Sequence, residues 1–94
     1  MNKLEQARTI INEVDSKMIE LFKERMAAAK MVAEYKKEND LPVLDKAREE
    51  ALINKNIKLL NDKELEQYYL TFLEGILTAS KDFQKDLIKW NLVY

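Results

Sequence analysis

The sequence contains no cysteine and no histidine. The first absence excludes a disulfide framework and thiolate metal sites. The second removes the imidazole that most often serves as base or metal ligand, so any catalysis must use other groups. One glycine and one proline in 94 residues argue against a strand-and-turn fold and favour long helices. No apolar run approaches membrane-spanning length, and residues 1–8 enter a charged helical pattern without the apolar core of a secretory signal. A cytoplasmic location and no membrane partner are expected. Net charge is also lacking, at −1, with basic and acidic residues mixed along the chain. That leaves no nucleic-acid footprint, and a bound anion would need a local cluster of cations.

What is present is 47% apolar and 35% charged residues, too apolar for disorder. The length allows one domain, residues 1–94, of which 85–94 read as a tail or linker stub. A chain this short hides only about 60 to 65% of its unfolded surface when it folds alone, a shortage that a second copy would relieve. From Leu4 to Tyr35 a seven-residue repeat places Leu4, Ile11, Met18, Arg25 and Val32 in one row and Ala7, Val14, Leu21, Ala28 and Tyr35 in another, a coiled-coil-like seam. Nothing breaks residues 3–38, which predicts one helix of roughly 50 Å. Asn39, Asp40, Leu41 and Pro42 stop it. Asp45 can cap a second helix reaching about Leu60, and Asn61 with Glu64 reads as a capping box for a third. That helix is expected from about Asp62 to the high eighties, with Leu65, Tyr69, Phe72, Leu73, Ile76 and Leu77 inward. Gly75 inside it suggests a close helix contact.

Several polar residues break these patterns. Arg25 occupies a seam position, where an unpaired buried charge would cost several kcal/mol; it needs a structural partner or an anionic ligand. Lys36, eleven residues later, is about 20° round the same helix and shares its face. Arg8, seventeen residues before Arg25, lies roughly 25 Å away on another side, so one chain cannot bring both to one small ligand through this helix. Of sixteen basic residues only Arg8, Arg25 and Arg48 are arginines, and arginine's fork suits carboxylates. The third helix's inward stripe turns polar at Ser80 and Gln84, neighbours four residues apart. Taken alone, Lys36, Asp45, Arg48 and Glu49 read as surface and cap charges, and Ser80 with Gln84 as a solvated helix end.

Together these residues resemble the all-helical, AroQ-class chorismate mutases: Arg8 seven before Asp15, Arg25 ten after it, Lys36 eleven further, the segment from Leu41 to Glu49, and Ser80 with Gln84. The likeness covers residues 4–84. It implies an all-α fold with three helices per chain, a long first helix, and an intertwined homodimer in which each first helix serves both active sites. It also implies an isomerase that rearranges chorismate to prephenate in phenylalanine and tyrosine biosynthesis, a reaction for which neither a metal nor a cofactor is expected. By resemblance Arg8, supplied by the partner, would act with Arg25 and Arg48 on the substrate's two carboxylates, and Ser80 would help there. Lys36 and Gln84 would donate to the ether oxygen, and Glu49 and the backbone at Asp45 would hold the ring hydroxyl. Two competing readings are an isochorismate pyruvate-lyase on the same fold, which the Asp45, Arg48 and Glu49 set disfavours, and a helical dimerisation module without a site.

Overall fold

A computed structural model describes residues 1–89. The chain is all-helical over those residues: α1 (Lys3–Glu38), α2 (Lys46–Leu60) and α3 (Glu66–Lys89). The 36 residues of α1 at 1.5 Å each span the longest dimension of a molecule measuring 54 × 27 × 15 Å. Its start is fixed by Asn2, whose side chain accepts from the Glu5 amide at 2.9 Å. Its end is a Schellman turn, in which Asp40 takes a left-handed conformation with φ 52°. There the Leu41 amide donates back to the Lys36 carbonyl at 2.8 Å, and the Asp40 amide to Lys37 at 3.4 Å. Asp45 caps α2 as expected, its carboxylate accepting from the Arg48 amide at 3.0 Å.

The start of α3 differs from the expectation. Asn61 ends α2 in the left-handed region, φ 47°, donating to the Ile57 carbonyl, and Asp62 rather than Asn61 receives the Leu65 amide, at 3.3 Å. Regular helix therefore begins at Glu66. Asparagine suits a left-handed helix end as well as a helix start, and here the first use prevails. Residues 85–89 continue α3, with Leu87 buried; the rest of the expected tail, 90–94, including Trp90, Leu92, Val93 and Tyr94, lies outside the described residues.

α3 packs against both other helices. Ala29 and Ala33, one turn apart on α1, are buried with Leu73 and Leu87 of α3; two alanines on one face let helix axes approach closely. The heptad rows are left largely uncovered. Leu4 and Leu21 are 57% and 61% exposed, and the whole stretch 1–24 is exposed. On α3, Leu65 and Phe72 were expected inward but are exposed, whereas Leu73 is buried and Tyr69, Ile76 and Leu77 are half-buried. Phe72 is 100° round the helix from Leu73, on a side that the rest of the chain lines but does not cover, and it stays 50% exposed. It joins Met18, Leu21, Phe22 and Ile76 in an open apolar groove of about 600 Å³. Gly75 does not mark a close contact within the chain: a methyl group there would meet no atom within 4 Å.

Candidate active site

A cleft of about 320 Å³ opens where the three helices converge. α1 contributes Arg25 and Lys36, the start of α2 contributes Asp45, Arg48 and Glu49, and α3 contributes Ser80 and Gln84. The substrate-site residues named from the resemblance are thus brought to one wall or another of this cleft except Arg8, which is exposed on the outer half of α1 and does not line it. The floor is apolar, with Val32, Leu52 and Leu77 among its lining.

Each side chain is held by an identifiable device. Lys36 is half-buried and its Nζ donates to the Val43 carbonyl at 2.6 Å. Because the Lys36 carbonyl also accepts from Leu41, this residue fastens the α1–α2 turn from both of its ends, and two ammonium N–H groups remain for other acceptors. Asp45 spends one carboxylate oxygen on the α2 cap, so its position is set by the helix start. Arg48, three residues later, projects from the first turn with an exposed side chain. Among the described residues no carboxylate lies within ion-pairing distance of Arg25, Lys36 or Arg48.

Ser80 and Gln84 are 8% and 6% exposed. They are a buried polar pair and not the solvated helix end that the sequence alone also allowed. Gln84 Nε2 donates to Ser80 Oγ at 3.1 Å, while Gln84 Oε1 is buried with no hydrogen-bond partner. A lost partner of this kind costs about 1–3 kcal/mol. A half-turn of the amide would let the Ser80 hydroxyl donate to Oε1 and aim Nε2 at the position the oxygen now holds.

One lining residue was missed. Lys81 faces the cleft and pairs with Glu49, Nζ to Oε1 2.9 Å. The sequence did carry a signal: Leu73, Leu77 and Lys81 stand four apart on one helical ridge, so Lys81 continues an apolar row with a charge.

Residues 7–85 match the family model described as chorismate mutase type II. The chain belongs to the type II chorismate mutases. Membership makes it an isomerase, and it agrees with the all-helical architecture. The chain is also similar to a chorismate mutase of Methanocaldococcus jannaschii, 28% identical over 90 residues, which cover 95% of this chain and 91% of the relative. No solved structure matches the chain at a significant level. Among the described residues no helix is long and apolar enough to cross a membrane, and no group of acidic side chains is placed to hold a metal ion.

Proposed function

We propose that this type II chorismate mutase converts chorismate to prephenate in phenylalanine and tyrosine biosynthesis, in the cytoplasm, as an intertwined homodimer with two shared sites. The observation that carries the reading is the gathering of Arg25, Lys36 and Arg48, without carboxylate partners among the described residues, beside the buried Ser80–Gln84 pair. Unpaired cations in a small cleft suit a dianionic substrate.

The rearrangement breaks a carbon–oxygen bond and makes a carbon–carbon bond within one molecule, needing no nucleophile or proton relay. The protein has to hold the enolpyruvyl ether over the ring and to stabilise negative charge growing on the ether oxygen. Arg25 and Arg48 grip the carboxylates, helped by Ser80. Lys36 and Gln84 donate to the ether oxygen, Lys36 through the N–H groups not used on Val43 and Gln84 through its amide nitrogen. Glu49 and the backbone at Asp45 hold the ring hydroxyl. A preorganised donor of this kind contributes about 3 kcal/mol, roughly a hundredfold in rate.

Arg8 enters from the partner. Two observations support this: its own chain holds it outside the cleft, and the apolar groove beside Phe72 is bordered by Arg25, which also lines the cleft. A second α1 lying in that groove would cover the exposed heptad rows and bring its basic residues toward Arg25. Purified protein added to chorismate should consume its absorbance and yield prephenate. Conversion of isochorismate to pyruvate and salicylate without prephenate would overturn the assignment.

A further inference from the structure

Glu49 is a carboxylate in a cleft assigned above to a dicarboxylate. By charge alone it would repel the substrate or occupy the arginines meant to bind it. Lys81 gives it a different partner. The 2.9 Å pair joins α2 to α3 with side chains 24% and 28% exposed for Glu49 and Lys81, so it is less screened than an ion pair on an open surface. The bond is made to Oε1, and a carboxylate has lone pairs on both oxygens with which to accept further hydrogen bonds. The arginines have no such partner among the described residues.

We infer that Lys81 is a positioning residue, which holds the Glu49 carboxylate toward α3 and offsets its charge. Glu49 then remains an acceptor for the neutral ring hydroxyl, and Arg25 and Arg48 remain free for the substrate's carboxylates. The inference rests on the substrate assignment proposed above.

Steady-state kinetics with chorismate on the full chain test it, using Lys81→Met, Lys81→Gln and Lys81→Arg, each made alone and together with Glu49→Gln. Removing the charge should raise KM about tenfold while kcat stays within about threefold. Lys81→Arg should recover most of the lost affinity. In the Glu49→Gln background Lys81→Met should change KM by less than about twofold, because the group it acts through is gone. An equal rise in both backgrounds would mean that Lys81 meets the substrate itself, and would overturn the inference. An unchanged KM in both uncharged variants would do the same, as would parallel losses of kcat and thermal stability in both backgrounds. Wild-type protein that forms no prephenate would sink the substrate assignment and this inference with it, a failure visible before any variant is compared.

Discussion

Gln84→Glu isolates the ether-oxygen contact, because it keeps the size of the side chain and changes only what the terminal group can do. Gln84 is 6% exposed, so an introduced carboxylate would have little water to screen it. Loss of the donor accounts for about 3 kcal/mol of transition-state stabilisation. A carboxylate about 4 Å from an oxygen gaining half a charge adds about 2 kcal/mol of repulsion at an effective dielectric constant near 20. The sum, about 5 kcal/mol, predicts a fall in kcat of about 10³- to 10⁴-fold at pH 7.5. Protonation turns the acid into a donor again. Glutamate ordinarily titrates near about 4.3; burial raises that value, and the cationic lining lowers it. The assay is kcat for mutant and wild type in parallel from pH 8 to pH 5, with thermal denaturation confirming that both stay folded. The ratio of mutant to wild type should climb steeply as pH falls. The same ratio at pH 5 and pH 8 would remove Gln84 from the mechanism.

Arg8→Ala and Arg25→Ala proteins should each be nearly inactive, yet regain activity when unfolded and refolded together, since one site of a mixed dimer has both arginines; no recovery in proven heterodimers would refute sharing between chains. Gly75→Ala should raise stability by about 0.5–1 kcal/mol in thermal or urea unfolding, because the site is helical and open; a loss instead would mean that another chain packs against it. Asp45→Ala should cost about 1 kcal/mol through the lost α2 cap, whereas Asp45→Asn, which can still accept from the Arg48 amide, should cost much less. A melting temperature unchanged by Asp45→Ala would remove the cap from the account.

Where local chemistry decides an element, the sequence was a sufficient guide. α1 spans the residues that lack glycine and proline, it ends at the Asn39–Pro42 stop, and Asp45 caps α2. Asn61 was misread because one residue type serves both ends of helices, and the choice between them depends on how the neighbouring turn folds. The gathering of Arg25, Lys36, Arg48, Ser80 and Gln84 could be expected only from the resemblance, since their spacing along three helices does not fix how those helices pack. Lys81 escaped for the same reason: its ridge position was readable, but its pairing with Glu49 depends on how α2 sits against α3. The inward assignments of Leu65 and Phe72 failed because hydrophobicity marks a surface to be covered without saying whether the same chain covers it.

The exposed outer half of α1 bears on how long the protein lasts in a cell. With every residue from 1 to 24 exposed and Ala29, Ala33, Leu73 and Leu87 as the buried apolar residues among those described, a lone chain has little to keep that stretch helical, since most helical stability comes from tertiary packing. Its amide hydrogens would exchange quickly, and a protease would find its backbone open much of the time. For the homodimer proposed above, dilution would then be as damaging as heat. A surface mutation that weakened association would be recorded first as a shortened half-life and a lower steady-state amount of polypeptide, with turnover per surviving enzyme molecule intact.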